Sequence, residues 1–207
     1  MTISYAITVC NETDELKRLV THLRKFMRAQ DEIVILHDTT KSTPEIEDLL
    51  NIYSGFDSLT IISGEFKGDF ADWKNKLNSE CKGDWIFQID ADEYPHEVLI
   101  SNLYQVLESS ENTDLLVVPR VNTVEGITDE HIRRWGWRVN DKGWVNFPDY
   151  QTRLYKNKPN IKWVGKVHER IRGEKFYAQF DSDEIWSLHH PKTIAKQEQQ
   201  NNYYNTL

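Results

Sequence analysis

The first 118 residues alternate between short apolar runs and longer runs in which apolar and polar positions mix. Runs of about four to eight mostly apolar residues, bounded by polar ones, predict strands that are buried on both faces. The predicted strands cover Ile3 to Cys10, Ile33 to Leu36, Leu59 to Ile62, Trp85 to Ile89 and Asp114 to Val118. The mixed runs between them repeat apolar residues every third or fourth position, which predicts amphipathic helices.

Polar residues and prolines of the kind that start and stop helices bound these mixed runs. The predicted helices cover Glu15 to Ala29, Thr43 to Tyr53, Asp69 or Asp72 to Glu80, and Pro95 to Glu108. Strands that alternate with helices form a parallel sheet, because the chain must cross back before each new strand. The pattern therefore predicts an α/β, Rossmann-like fold with a mostly parallel central sheet and helices on both faces.

The pattern changes after Pro119. Residues 120–165 are irregular and loop-like, and the tail from Lys192 has the composition of a polar helix. Strand-like segments cover Thr152 to Lys156, Ile161 to Val164 and Glu184 to Leu188. We interpret the whole chain as one domain, residues 1–207, with a larger half, residues 1–118, and a smaller mixed half, residues 119–207.

Composition narrows the classes of protein. The 207 residues are 39% hydrophobic and 28% charged, which is typical of a globular domain. The net charge of −8 gives no general attraction to phosphate backbones, so the sequence carries no strong nucleic-acid signal, and a nucleic-acid partner would need a local basic patch. No apolar run reaches the about 20 residues of a membrane span, which leaves room only for peripheral membrane contact. Two distant cysteines, Cys10 and Cys81, and a start without signal-peptide features indicate a cytoplasmic location.

Polar side chains follow the predicted strands at the points where they end. Asn11 and Glu12 follow the first strand, Asp38 follows the second, and Asp90 and Asp92 follow the fourth. Ligands of open α/β sheets bind at this edge, so these groups mark the candidate site. The chain has neither the G-x-G-x-x-G nor the G-x-x-x-x-G-K-[ST] pattern, so a nucleotide bound here would need other groups to neutralise its phosphates.

Asp90 and Asp92 suit that task. Residues two apart in an extended segment point to the same side. Two carboxylates so placed favour a hard divalent cation such as Mn²⁺ or Mg²⁺. Such a metal would bridge diphosphate oxygens and take up charge as a diphosphate leaves. On spacing alone, a solvated acidic turn that caps the helix at Pro95 explains the pair equally well.

Several short motifs occur in an order and spacing that resemble the family 2 glycosyltransferases, which have the GT-A fold. These motifs cover Val9 to Glu12, Asp38 to Thr43, Asp69 to Asn75 and Gly83 to Glu93. Two more, Asp149 to Tyr155 and Val164 to Glu169, resemble the lipopolysaccharide core biosynthesis branch. The resemblance covers most of the chain, from Ile3 to about His190. It implies transfer of a hexosyl or pentosyl group from a nucleotide sugar, with UDP- or GDP-linked donors expected, to a hydroxyl acceptor.

The resemblance assigns the first two strand ends to the nucleotide. It places Val9, Asn11 and Glu12 beside the base and the ribose, and it gives Asp38 a hydrogen bond to the base. Family members commonly carry Gly-Ser after the second strand, where this chain has Asp38 followed by Thr39. The alternative role for Asp38 is to cap the turn that follows the strand.

The resemblance also assigns residues to the diphosphate and the donor sugar. Lys74 and Asn75 match positions that approach these groups, and an exposed helix face is their alternative. Asp90, with Ala91 beside it, would lie against the ribose or the donor sugar. Arg153 would pair either with the diphosphate in bidentate fashion or with a carboxylate of the protein.

By the same resemblance, Asp92 would be the direct ligand of Mn²⁺ or Mg²⁺, with Asp90 beside it. GT-A enzymes often have a further metal contact from the C-terminal half, commonly a histidine. The candidates are His168, His189 and His190. Because the last two follow a strand-like segment, only one of them should face the cleft, and we favour His190.

Glycosyl transfer needs a group that takes the proton of the acceptor hydroxyl. A carboxylate is the usual solution in inverting enzymes, and inversion is the outcome we expect. Glu169 is the first candidate, and Asp149 and Asp181 are alternatives. A salt bridge from Glu169 to Arg170 or Arg172 would instead give it a structural role.

The irregular segment is rich in tryptophan and arginine. Its tryptophans are either a platform for sugar rings or the small core of the segment, and its arginines favour an anionic acceptor. These residues are Trp135, Trp137 and Trp144 with Arg133, Arg134 and Arg138.

Two other functions compete with metal-dependent glycosyl transfer. One is a different metal-dependent phosphate enzyme, a nucleotidyltransferase or nuclease, that uses Asp90, Asp92 and Glu93. The other is a module of the same fold that binds nucleotides or carbohydrates without catalysis. The acceptor stays open at this point: a glycan, a lipid-linked sugar, a protein or a modified DNA base.

Overall fold

The computed structural model describes residues 1–204, with the side chains described through residue 201. The helices are α1 (Thr13–Phe26), α2 (Pro44–Tyr53), α3 (Phe70–Asn78), α4 (Glu97–Ser109), α5 (Asp129–Trp135) and α6 (Ile194–Tyr204). The strands are β1 (Ile3–Val9), β2 (Glu32–Asp38), β3 (Leu59–Gly64), β4 (Trp85–Asp90), β5 (Tyr94–Pro95), β6 (Leu115–Val118), β7 (Arg120–Glu125), β8 (Gln151–Lys156), β9 (Lys162–Val164), β10 (Arg170–Arg172), β11 (Tyr177–Gln179) and β12 (Leu188–Thr193).

The central sheet has seven strands in the order β11-β6-β8-β4-β1-β2-β3. All neighbouring pairs are parallel except the two that involve β8, which runs antiparallel to both β4 and β6. The strand order reverses at β1, which has β2 on one side and β4 on the other. Thr8 lies opposite Asp90 at the carboxyl ends of β1 and β4, which is where the ligands of such sheets bind.

Two apolar layers cover the sheet. One face carries Ile3, Tyr5 and Ile7 of β1 and packs against α1, α2 and α4. The opposite face carries Ala6 and packs against α3 and the pair formed by β9 and β10. Alternate residues of β1 therefore point into different layers, as expected for a strand buried on both faces. This arrangement confirms the predicted α/β fold.

A second, three-stranded sheet lies beside the first, with β12 between β5 and β7. On β12, His190 and Lys192 are two residues apart and share the face toward the cleft. Within residues 1–204, none of the helices combines the length and the apolar character needed to cross a bilayer.

The sequence prediction was wrong in two parts of the second half. Residues 120–150 contain β7 and α5, which the loop-like interpretation missed, whereas β8 and β9 agree with the strand-like segments predicted there. The segment Glu184–Trp186 is a 3₁₀ turn, and the strand begins only at Leu188. The carboxylate of Asp183 accepts a hydrogen bond from the amide of Ile185. Asp183 therefore caps the segment Glu184–Trp186, which favours a turn there over a strand.

Candidate functional site

A cleft of about 700 Å³ opens at the carboxyl ends of β1 and β4. Both halves of the sequence line it. Predicted site residues in its wall are Val9, Glu12, Asp38, Lys74, Asp90, Ala91, Asp92, Arg153, His168, Glu169 and His190. The sheet topology therefore brings together most of the side chains that the sequence analysis selected.

Three residues of the cleft wall, Asp90, Arg120 and Arg153, pair with Glu93 and Asp149, and we call these five residues the buried ion network. Arg153 Nη2 donates to Asp90 Oδ2 at 2.5 Å and to Glu93 Oε1 at 2.8 Å. Arg120 donates to the same Glu93 oxygen at 2.8 Å and to Asp149 Oδ2 at 2.6 Å. Glu93 is fully buried and Arg153 nearly so, so each charge depends on its partners within the network.

The network lowers the pKa of two of its carboxyl groups. Burial alone would raise the pKa of Asp90, but the charge of Arg153, followed by that of Lys74, holds it far below its ordinary value. Burial likewise opposes ionisation of Asp149, yet Arg120 and a hydrogen bond from Asn122 lower its pKa. Arg153 therefore has the protein-carboxylate partner that was one of its two predicted alternatives.

Asp92 lies outside this network, in a corner that it forms with His190 and Lys192. His190 Nε2 lies 3.2 Å from Asp92 Oδ2, and Lys192 Nζ lies 3.6 Å from the same oxygen. Burial would raise the pKa of Asp92, but the hydrogen bond and charge of His190, helped by Lys192, lower it to about 2. We call these three residues the Asp92 corner.

Asn122 links the corner to the network. Its Oδ1 lies 2.7 Å from His190 Nδ1, and its Nδ2 donates to Asp149 Oδ2 at 2.9 Å. Because Asn122 Oδ1 is an acceptor, Nδ1 of His190 is the nitrogen that carries the hydrogen in this contact. In a neutral imidazole the lone pair would then be on Nε2, the nitrogen that faces Asp92. This is the tautomer in which a histidine can bind a metal through Nε2.

The other two histidines lie elsewhere. His189 faces away from the cleft, and its ring stacks on Tyr94 with 5.1 Å between centroids. His168 lines the cleft, with a positive φ of 57°. Among the side chains of residues 1–201, no three His, Cys, Asp or Glu are grouped so as to hold a metal ion. His168 and Asp90 therefore do not complete a preformed set with Asp92 and His190.

A second ion pair lies on the wall of the cleft. Lys74 Nζ contacts Glu169 Oε1 at 2.7 Å, and it also lies 4.4 Å from the ring centroid of Trp163. Lys74 is buried, so the exposed-helix alternative is wrong for this residue. The partner of Glu169 is Lys74 and not Arg170 or Arg172.

Asn75 ties α3 to β9. Its side-chain amide donates to the carbonyl of Trp163 at 2.8 Å and accepts the amide of Trp163 at 3.0 Å. These bonds use both ends of the side chain for the backbone of a neighbouring strand, and Asn75 is not among the residues that line the cleft. Asn75 therefore has a structural role between α3 and β9, and its donor contact stays a prediction.

The two loops at the ends of β1 and β2 are held by their own carboxylates. Glu12 accepts the amides of Cys10 and Asn11 at 2.8 and 3.1 Å, and Asn11 is exposed and not in the wall of the cleft. Asp38 Oδ1 accepts the amides of Thr40 and Phe66 at 2.9 and 3.1 Å. Burial would raise the pKa of Asp38, but these amides lower it. Asp38 thus has the turn-capping role that was its alternative.

Sequence reasoning missed several residues that line the cleft. Three are aromatic, with 4.7 Å between the ring centroids of Phe66 and Phe70 and 5.9 Å between those of Phe66 and Trp73. Arg120 and Lys192 were also missed. Lys192 was detectable, because it is two residues after His190 in an extended segment and so shares its face.

The tryptophans of residues 135–144 contribute to local packing. Trp144 is buried and packs against Phe147, and the ring centroids of Trp135 and Trp137 are 4.6 Å apart. The tryptophans that line the cleft are Trp73 and Trp163. Arg133, Arg134 and Arg138 are exposed, and within the described residues no carboxylate forms a salt bridge with them.

The α/β sheet carries a polar cleft at its topological switch point, the position at which open α/β folds bind their ligands. The model of the family "Glycosyl transferase family 2" matches residues 4–186. The chain belongs to this family, and its fold is GT-A. A search of curated protein sequences found no match.

Solved structures share this fold at low sequence identity. The crystal structure of S. aureus TarS 1–349 gives a TM-score of 0.63 at 13% identity, covering 92% of this chain and 60% of that one. The same fragment in complex with UDP gives the same four values. The fragment in complex with UDP-GlcNAc gives 0.61 at 13% identity, covering 93% of this chain and 59% of that one. The chain thus spans about three fifths of the TarS fragment.

Proposed function

We propose that the protein transfers a sugar from a nucleoside diphosphate sugar, with UDP as the nucleotide, to a hydroxyl group of an acceptor, with inversion at the anomeric carbon. The observation that carries this proposal is the Asp92 corner, at the carboxyl ends of β1 and β4 in a family 2 glycosyltransferase. TarS, which has a similar fold, forms complexes with UDP and UDP-GlcNAc, and this favours UDP over GDP. Hexosyl or pentosyl specificity and membership of the lipopolysaccharide core branch stay predictions.

We propose that Asp92 and His190 hold Mn²⁺ or Mg²⁺ when the donor binds. A carboxylate oxygen and an imidazole nitrogen are ligands that these ions accept, and the hydrogen bond from Nδ1 to Asn122 presents Nε2 toward Asp92. A cation held there would supply positive charge beside the diphosphate of the donor.

Glu169 is the proposed general base. Within the described chain its carboxylate is contacted by Lys74 at Oε1, which leaves Oε2 for an acceptor hydroxyl. Asp149 is a poorer base, because Arg120, Asn122 and Gln151 all donate to it and its pKa is lowered. Asp181 is exposed and not in the wall of the cleft.

The competing phosphate-transfer mechanism needs Glu93 as a third carboxylate in the site, and the position of Glu93 argues against this. Glu93 is fully buried and bonded to two arginines, so it does not face the cleft as a metal ligand would. The proposal keeps residues 1–118 as the main donor half and residues 119–207 as the acceptor half. Within the second half, the exposed arginines 133, 134 and 138 favour an acceptor with negative charge.

A thermal-shift screen of UDP-, GDP- and CDP-sugars, each with Mn²⁺ and with EDTA, tests the donor class. We expect UDP-sugars to raise the melting temperature most, and more with Mn²⁺ than with EDTA. Release of UDP from the stabilising sugar is then measured with and without candidate acceptors. Binding without any release of UDP would support the non-catalytic alternative, and no binding of any nucleotide sugar would refute the proposal.

A further inference from the structure

Lys192 is a buried lysine whose side chain lines the cleft beside Asp92. Only 8% of its side chain is exposed, which is rare for a lysine without a partner. Its Nζ donates to Gln200 Oε1 at 2.6 Å and lies 3.6 Å from Asp92 Oδ2, so both neighbours are acceptors. Burial lowers the pKa of Lys192, and the charge of Asp92 opposes that lowering.

The ammonium is not fully neutralised there. Gln200 is neutral, and the 3.6 Å separation from Asp92 is longer than a hydrogen bond. His190 makes the closer contact with the same Asp92 oxygen, at 3.2 Å. The Lys192 ammonium in this position can therefore attract an anion that enters the cleft.

Holding α6 in place does not require the lysine. The helix has other polar links to the body of the protein, besides the bond that Gln200 accepts. They are the pair His131 and Glu198, 3.7 Å apart, and the pair Lys196 and Glu15. If Lys192 served only to link β12 to α6, these other links would make it partly redundant. They do not explain why it lies beside Asp92.

We propose that Lys192 binds the diphosphate of the donor and shares its neutralisation with the metal held by Asp92 and His190. This inference rests on the proposed function. The protein would then carry a built-in cation at the metal corner. Part of the affinity for a nucleoside diphosphate would persist without metal, and that part would depend on Lys192.

Isothermal titration of UDP tests this, with Mn²⁺ and again with EDTA, on the wild type, Lys192→Gln and Lys192→Arg. A charged hydrogen bond of ordinary strength predicts that Lys192→Gln weakens UDP binding about 10- to 100-fold in Mn²⁺. In EDTA, binding to Lys192→Gln should fall below detection while the wild type still binds. Lys192→Arg, which keeps the charge, should stay within roughly 5-fold of the wild type.

Uridine, followed by ligand-observed NMR, and the exposed-lysine variant Lys142→Gln provide the controls. Uridine lacks phosphate, so its affinity should be the same for the wild type and Lys192→Gln. Equal losses for UDP and uridine, or unchanged UDP binding by Lys192→Gln in both conditions, would overturn the inference. A wild type that binds no UDP in either condition would instead refute the proposed function.

Discussion

The buried ion network and the Asp92 corner are built from the same kinds of side chain but differ in the length of their contacts. Charged atoms in the network lie 2.5 to 2.8 Å apart. The contacts of Asp92 are 3.2 and 3.6 Å long. Asp90 and Asp92 both line the cleft, with side chains that are 35% and 30% exposed, yet only Asp90 is held by a short contact with a buried arginine.

This difference separates stability from chemistry within one acidic motif. Asp90 Oδ2 accepts a hydrogen bond from the buried Arg153 at 2.5 Å, so a ligand at that oxygen would compete with the arginine. Asp92 keeps two looser partners that a cation or a phosphate can rearrange. A pair of carboxylates in sequence therefore need not act as a pair in the site.

The largest effect should come from breaking the network. Arg153→Ala leaves Glu93 buried with one partner fewer and Asp90 without its arginine. We expect a loss of about 3–5 kcal/mol in the free energy of unfolding, as measured by denaturant titration. A loss below about 1 kcal/mol would show that the network contributes little to the fold.

Asp92→Asn changes the Asp92 corner and should lower activity more than stability. The amide removes the negative charge but keeps the size, so the melting temperature should stay within a few degrees. Release of UDP from the preferred donor should fall roughly 100-fold, with weaker dependence on Mn²⁺. The exposed Asp141→Asn serves as the matched control and should keep full activity. A large loss of stability in Asp92→Asn would place Asp92 in the framework after all.

Acid should weaken the network through Asp149. Burial opposes its ionisation, but Arg120 and Asn122 hold the pKa of Asp149 below the value of the unfolded chain. A lowered carboxyl pKa contributes stability that is present above the unfolded pKa, about 4, and is lost as the pH falls through the folded pKa. Denaturant titrations from pH 7 to pH 3 should therefore show a shallower decline for Asp149→Asn than for the wild type. Parallel curves would contradict this assignment.

The smallest effect should come from an ion pair outside both regions. Lys142 Nζ lies 3.3 Å from Glu184 Oε2, and both side chains are well exposed. Lys142→Gln should change the free energy of unfolding by about 1 kcal/mol or less. Comparison with Arg153→Ala under the same conditions then measures how much burial, and not the number of ion pairs, matters.

Periodicity predicted the central sheet and its helices because those elements bury complete faces. Ile3, Tyr5 and Ile7 occupy every second position of β1 and pack into the same apolar layer. A regular spacing of this kind can be recognised in the sequence. The strands β7 and β12 were not predicted well, because polar residues such as Arg120 and His190 face the cleft and interrupt the apolar pattern.

The site was predictable only where local spacing or family resemblance described it. Asp92 and His190 were selected in this way, although 98 positions separate them. The pairing of Asp90 with Arg153 spans 63 positions and leaves no periodic signal. Asn75 binds the backbone of β9 with both ends of its amide, a contact that its residue type alone does not distinguish from a ligand contact.

The antiparallel strand β8 makes the order of synthesis matter. It lies between β4 and β6, both of which leave the ribosome before it does. A chain that ended at residue 118 would lack the strand that pairs with both β4 and β6. Arg153 lies on β8, so the strand that completes the sheet also carries the charge that compensates Asp90 and Glu93.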